Sequence, residues 1–275
     1  MQPTSTLEKL AHDYRAAYLA NDASSLLIGR DIRFSENNVV LPFPDGTWDT
    51  VTEEVGPALI LSDPDSGQVG IFTAIMQGET PSFLAVRLKI SAGEIVEIEH
   101  VVSTRRNLSG PPTPIGDVRE FVHDLDWNRV IAPEDRIPRE AMIELSDGYF
   151  ATLENNTGEI RGTRFASVTT RHENGMAFPN VEHDFRRGRY RFNERVRDRE
   201  YFLVDEARGV VMARAFIDHK GRLADYVLND GTPAKSPFRE PQSWYVLEIF
   251  KIRHEEISSI EAIFIAVPYW MKSIW

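Results

Sequence analysis

The chain repeats one series of local patterns twice, and this duplication limits the folds open to it. The clearest pair is residues 88–99 and 250–261, which share an apolar-Lys-Ile start, four turn residues and an Ile-x-x-Ile-Glu end. Each copy predicts a hairpin of two apolar strands around a polar turn. Three further matches occur in the same order in both halves. They are a helical stretch with Tyr14 and Tyr149, Glu-Asn pairs at Glu36 and Glu173, and Asp-x-x-x-Gly turns at Asp63 and Asp205.

The spacing between the copies increases along the chain, so the second copy carries insertions. It rises from 135 residues, between Tyr14 and Tyr149, to 162 residues, between Lys89 and Lys251. A Pro/Gly-rich stretch at 109–118 predicts a linker between a first module, 1–108, and a second module, 119–275, with an aromatic C-terminal tail.

Within each copy a helical pattern comes before the strands. The apolar positions fall at helical spacing around Tyr14 and again around Tyr149. Helices followed by a run of strands indicate an α+β fold. We predict two cone-shaped modules, each a curved antiparallel sheet with N-terminal helices packed on its concave face. The mouth of such a cone is a common site for a small ligand.

Composition and missing motifs exclude several function classes. The net charge of −11 argues against nucleic-acid binding, and the absence of cysteine excludes disulfides, thiolate metal sites and a thiol nucleophile. The chain has no zinc-hydrolase, serine-esterase, phosphate-loop or dinucleotide motif. No secretion signal opens residues 1–6 and no apolar stretch is long enough to span a bilayer. We therefore expect a cytoplasmic protein with neither a cofactor nor a metal, and no membrane or nucleic-acid partner.

The repeated patterns resemble a known superfamily. The helix, the Glu-Asn strand and the terminal hairpin look like the nuclear transport factor 2-like superfamily in its SnoaL-like branch. The second half is similar to a tandem family from fungi and bacteria, through 171–175, 197–199, 204–209, 218–221 and 267–269. The resemblance implies cofactor-free chemistry, because relatives include cyclases, dehydratases, isomerases and epoxide hydrolases, besides simple binding modules. The superfamily also includes bacterial lyases that deformylate lignin-derived diarylpropanes.

Four residues are candidates for acid–base catalysis, since imidazole and phenol groups exchange protons readily. His172, His183 and Tyr190 lie in or near the insertion of the second copy, where a pocket wall or an exposed loop would explain them equally well. His100 alternates with apolar residues on one strand face, a pattern typical of a hydrogen-bonded core histidine as well as of a cavity residue.

Five further residues are candidates for substrate binding: Tyr149, Arg171, Arg197, His219 and Trp270. Tyr149 lies on the helix that would close the cavity, although core packing also explains it. An arginine would stabilise a developing oxyanion. His219 follows Asp218 and precedes a Lys-Gly pair, so a strand-end turn accounts for it without chemistry. Trp270 belongs to the aromatic tail, which we expect to cap the cavity or to pack on a partner subunit.

Two functions remain open from the sequence. The first is a cofactor-independent lyase that acts on an apolar aromatic molecule, in its most specific form the deformylation of a diarylpropane diol to a stilbene and formaldehyde. A dehydratase, isomerase or cyclase is its near alternative. The second is a non-catalytic ligand-binding module, which predicts that no titratable groups converge in either cavity. Modules of this superfamily pair sheet to sheet, so we expect either pairing inside the chain or a homodimer.

Overall fold

The computed structural model describes residues 4–105, 114–236 and 238–275. Half of the predicted linker, residues 109–113, lies outside the described residues. Three α-helices are present in the described ranges: α1 Thr4–Leu19, α2 Arg139–Leu153 and α3 Val181–Arg186. The first module contains strands β1 Ile28–Glu36, β2 Val39–Leu41, β3 Val51–Asp63, β4 Gln68–Gln77, β5 Thr80–Ser91 and β6 Glu94–Thr104. The second contains β7 Phe165–Glu173, β8 Met176–Ala177, β9 Arg195–Asp205, β10 Val210–His219, β11 Asp225–Val227, β12 Pro233–Lys235, β13 Gln242–Arg253 and β14 Glu256–Pro268.

The strands form two six-stranded sheets with the same topology. The first has the order β2-β1-β6-β5-β4-β3, and the second has the order β8-β7-β14-β13-β10-β9. The predicted hairpins are confirmed as β5–β6 and β13–β14. The duplicated α+β fold predicted from the sequence is therefore present, with β11 and β12 forming a small extra sheet in the second copy.

Each sheet is mixed rather than purely antiparallel, which corrects the sequence prediction. β1 runs parallel to β6, and β7 runs parallel to β14. Register shifts interrupt both of these pairings and recur in the outer strands. Such bulges bend a strand and add twist, so the sheets curve around their helices.

Strand alternation divides the core into layers. On β13, Leu247 and Ile249 belong to a cluster shared by the two sheets, whereas Val246 and Phe250 pack against α2 on the concave face. In the first module α1 covers the concave face in the same way. Both faces of each sheet are buried, which explains why β13 reads as an almost continuous apolar run.

The two modules pack sheet against sheet inside one chain. The backbone at Gly70 contacts the side chain of Met212 closely, since an added Cβ would lie 2.5 Å from its Sδ. At the edge of this interface the carboxylate of Asp63 accepts a hydrogen bond of 2.9 Å from the Val204 amide and pairs with Arg139. The sequence analysis expected the modules to pair either inside the chain or across a homodimer, and the pairing inside the chain is formed.

A buried ionic network crosses the centre of this interface. Glu99 accepts hydrogen bonds from Arg87 at 2.6 Å and from Arg214 at 2.7 Å, and it also accepts one from the hydroxyl of Tyr245. Burial opposes ionisation of Glu99, but the two guanidinium groups and the hydroxyl outweigh it and lower its pKa. The network joins β5 and β6 to β10 and β13, so it fixes the position of one module on the other.

The aromatic tail packs on the first module of the same chain instead of capping a cavity. The amide of Asn38 in the first module donates a 2.8 Å hydrogen bond to the carbonyl of Lys272. The Trp275 ring lies 4.3 Å from the guanidinium carbon of Arg33 and 4.5 Å from that of Arg87. The tail therefore connects the second module to the first. No described helix has both the length and the apolar character required to cross a membrane.

Candidate functional site

The concave side of the first module is filled by its own aromatic side chains. Tyr14 and Tyr18 on α1, Trp48 in the short helix Gly46–Asp49, and Phe34 on β1 are all buried. Their rings meet edge to face, with Tyr14 and Trp48 at 5.4 Å and Tyr18 and Trp48 at 5.2 Å. Edge-to-face contacts of this kind stabilise an aromatic core.

His100 lies at the centre of this aromatic cluster. Its Nε2 is 2.7 Å from the hydroxyl of Tyr14, and its Nδ1 is 3.6 Å from the carboxylate of Glu36. Glu36 also accepts hydrogen bonds from the backbone and side chain of Thr47. Burial raises the pKa of Glu36, but the nearby His100 ring and the hydrogen bonds from Thr47 outweigh it and lower the pKa. The histidine is fully buried, as a core residue would be.

The second module instead contains an open cavity of 630 Å³. Most of its wall is apolar, and its polar groups include Glu173, Glu248, Tyr149 and Tyr190. A volume of this size is typical of a small-molecule site. The apolar part of the lining includes Leu153, Met176, Phe178, Phe192, Ile217, Phe238, Trp244, Val246 and Phe264.

Strand register explains why only one cone is open. Glu36 lies opposite His100 across β1 and β6, and the matching pair in the second sheet is Glu173 and Ala262. Ala262 therefore takes the place of the imidazole and leaves space. On the neighbouring strand Val86 faces His100, while Glu248 faces Ala262. The second module thus carries an ionisable side chain, Glu248, on the neighbouring strand, where it borders the cavity.

Glu248 has the most perturbed carboxyl group of the cavity. Its side chain projects from β13 on the apolar concave face, between Ala213 and Ala262 on the adjacent strands. Burial, reinforced by the negative charge of Glu173, raises the pKa of Glu248 to about 8. At neutral pH this carboxyl carries its proton, so it can donate a hydrogen bond or a proton.

Beside Glu248 lies a second group centred on Arg171. Its guanidinium donates a hydrogen bond to the hydroxyl oxygen of Tyr190, and its Nε lies 3.3 Å from Glu173. Burial raises the pKa of Tyr190, and Arg171 acts in the opposite direction. The phenol therefore keeps its proton while its oxygen accepts from a cation, and its O–H is directed to the carboxylate of Asp184, 3.5 Å away.

The structure brings together only some of the residues predicted from the sequence. Tyr149 and Tyr190 line the cavity, and Arg171 lies directly behind Tyr190. His172 occupies the opposite face of β7, where its ring lies 5.6 Å from Phe121, and His183 is exposed on α3. Strand alternation in the first case and helix orientation in the second place these two imidazoles outside the cavity.

The remaining candidates also lie away from the cavity. Arg197 pairs with Asp218 at 2.9 Å and donates to the carbonyl of Met271 at 2.8 Å, and Trp270 stacks on Arg195 and Arg197, so these residues secure the tail. His219 is buried on the far side of the wall formed by Phe192 and Phe238.

Sequence reasoning missed Glu248, although the sequence contains a signal for it. Glu248 is the only charged residue in the apolar run 244–250. Burying an unpaired carboxyl in such a run costs free energy, so its presence there is a signal. The matched hairpins align it with Val86, so the difference between the copies was also visible.

Comparison with known proteins adds little about function. Residues 135–264 match a family model described as a domain of unknown function, DUF8021. No curated protein matches the chain. One solved structure that is similar is a "putative ketosteroid isomerase" from Kribbella flavida, with 18% sequence identity and a TM-score of 0.27, covering 49% of this chain and 97% of that one.

Proposed function

We propose that the second module is a cofactor-independent acid–base enzyme, a lyase or an isomerase, that acts on a small apolar molecule. The observation that carries the proposal is the pair of carboxyl groups, Glu173 and Glu248, in one apolar cavity. Glu173 is ion-paired with Arg171, whereas Glu248 holds a proton because burial raises its pKa to about 8. Two carboxyls held in different protonation states are suited to act as base and acid in one reaction.

The roles follow from these environments. The Glu173 carboxylate accepts a proton from carbon or hydroxyl, and the protonated Glu248 donates one to the leaving or rearranging oxygen. Tyr190, supported by Arg171, donates a hydrogen bond to an oxygen on which negative charge develops. The apolar wall excludes water and strengthens these interactions.

Deformylation of a 1,2-diarylpropane-1,3-diol is the most specific form of this proposal. Glu173 removes the proton of the primary hydroxyl, and the carbon–carbon bond to that carbinol breaks as formaldehyde forms. The released electron pair makes the new double bond and expels the second hydroxyl, which leaves as water with the proton of Glu248. Diol thus becomes stilbene, formaldehyde and water, with no oxidant or reductant needed. The aromatic lining, including Trp244 and Phe264, suits two aryl rings.

Incubation of the protein with such a diol tests this form. Stilbene absorbance and formaldehyde should appear together, and the rate should fall above about pH 8 as Glu248 loses its proton. Glu248→Gln and Glu173→Gln should each abolish turnover, while the exposed control Glu79→Gln should not change it. Release of neither product would reject deformylation and leave dehydration or isomerisation to be tested.

A non-catalytic binding module is the second candidate. It predicted that no titratable groups would meet in a cavity, and the side chains of Tyr149, Glu173, Tyr190 and Glu248 around one largely apolar space count against it. Binding of apolar ligands that is unchanged in Glu248→Gln, with no turnover of any diol, hydroxyketone or enone offered, would favour it.

A further inference from the structure

We propose that the second module has another small-molecule site, behind the wall formed by Phe192 and Phe238, which takes an aromatic carboxylate. A cavity of 520 Å³ lies there, between the end of β10 and the segment that contains β11 and β12. Among the described residues, only Phe192 and Phe238 line both this cavity and the acid–base cavity. We call it the rear pocket. It does not depend on the chemistry proposed for Glu173 and Glu248.

Aromatic rings form one wall of the rear pocket. The imidazole of His219 lies 4.2 Å from the Phe238 ring and 5.7 Å from the Phe192 ring, at interplanar angles of 33° and 31°. Leu223 contributes a further apolar surface. Phe192 and Phe238 themselves meet edge to face at 62°, so the wall offers both ring faces and ring edges, on which an aromatic ligand packs without a specific hydrogen bond.

His219 also presents unused polar atoms. It is 1% exposed and the Phe192 backbone lies near its ring, yet neither ring nitrogen makes a well-formed hydrogen bond to any residue in the described ranges. A buried polar atom without a partner costs free energy, and a ligand that supplies the partner recovers it. Burial lowers the pKa of His219 to about 4, so the ring is neutral at pH 7. A neutral imidazole has one N–H donor, which a carboxylate oxygen that reaches the ring can take in place of the Phe192 backbone.

Cationic groups surround the same pocket. Within the described ranges, Arg222 is exposed and forms no ion pair, and Arg191 hydrogen-bonds only to the neutral oxygens of Gly188 and Asn229. Lys220 lies 3.7 Å from Glu194, the single acidic residue of the lining. Three cations against one anion make the rear pocket locally positive in a chain of net charge −11. Such a local field attracts an anion.

Titration calorimetry with benzoate tests the proposal, with neutral benzamide and ring-free acetate as comparisons. Benzoate should bind the full chain at least tenfold more tightly than either comparison ligand. The double variant Lys220→Gln/Arg222→Gln should weaken benzoate binding at least tenfold, and His219→Phe, which keeps the stacked ring, should weaken it severalfold. Equal affinities for benzoate and benzamide, or for benzoate and acetate, would overturn the proposal.

Two controls distinguish binding in the rear pocket from a general effect of charge and from binding in the acid–base cavity. Arg119→Gln/Arg164→Gln removes the same charge from exposed positions elsewhere and should leave benzoate affinity unchanged. Glu248→Gln alters the acid–base cavity and should also leave it unchanged. Equal weakening by the two double variants would mean that net charge, not the pocket, sets the affinity, and the proposal would fail. Failure of the acid–base proposal would appear as absent turnover and would not affect these binding results.

Discussion

The hydroxyl of Tyr14 lies 2.7 Å from Nε2 of His100 inside the first-module cone, where both residues are buried among aromatic side chains. The equivalent tyrosine of the second module, Tyr149, instead borders a cavity of 630 Å³ with Glu248 in its wall. The two copies thus share a scaffold, and only one of them leaves room for a ligand.

Removing the indole that fills the first cone should create a ligand site there. Trp48 is 1% exposed, and Trp48→Ala should lower the free energy of unfolding by about 3–5 kcal/mol because a large cavity remains. Added indole should restore part of the loss, since it binds only the folded state. Urea unfolding with and without indole measures both effects. Trp270→Ala, at a 40% exposed position, should cost less and show no rescue, and an equal rescue there would refute the expectation.

The raised pKa of Glu248 should make stability fall with pH. Its folded value is about 8, against an ordinary value of 4.5, because burial and the charge of Glu173 disfavour the carboxylate. Between pH 4.5 and pH 8 the folded state therefore holds this proton more fully than the unfolded state does. The stability that the proton contributes is lost as the pH rises through 8. Glu248→Gln removes this titration, so the variant should have a higher free energy of unfolding than the parent at pH 9. At about 1.4 kcal/mol per unit of pKa shift, the difference should be a few kcal/mol.

Urea unfolding at pH 5 and pH 9 measures this difference. The advantage of Glu248→Gln should shrink at pH 5, whereas Glu79→Gln should match the parent at both values. A Glu248→Gln advantage that does not depend on pH would contradict the assigned pKa.

Loss of the Glu99 carboxylate should weaken both modules together. Glu99→Ala leaves Arg87 and Arg214 buried with one fewer anion, which should cost about 3–5 kcal/mol. Because the sheets share one core cluster, urea unfolding should stay a single transition at a lower midpoint. Glu97→Gln, whose side chain is 35% exposed, should cost at most about 1 kcal/mol. Two separated transitions in Glu99→Ala would show that the modules unfold independently.

The Trp275 ring should contribute to the same module contact. It stacks on Arg33 and Arg87, and cation–π contacts at partly exposed sites are worth about 0.5–1 kcal/mol each. Trp275→Ala should therefore lower the free energy of unfolding by about 1–2 kcal/mol, while Trp275→Phe should recover part of it. Thermal unfolding of both variants checks this, and equal stability of Trp275→Ala and the parent would count against a role for the tail.

The sequence by itself determined the scaffold. Repetition of the helical spacing around Tyr14 and Tyr149 and of the hairpins at 88–99 and 250–261 predicted two α+β modules, because local periodicity records which face of an element is buried. Alternation also predicted that His100 shares a face with Val96, Ile98 and Val102. The structure confirms this for Ile98 and Val102, whereas a register shift brings Ile95 instead of Val96 into the cluster.

Only the tertiary structure decided which cone is open and which groups line it. Proximity in sequence suggested His172 and His183, but strand alternation turned the first away from Arg171 and Glu173, and α3 exposed the second. Glu248 acquires its proton from burial beside Glu173, two residues that are 75 positions apart in the chain. Strand register brings them together and places Ala262, rather than an imidazole, at the open position. Space and electrostatic coupling are properties of that packing, and no local pattern records them.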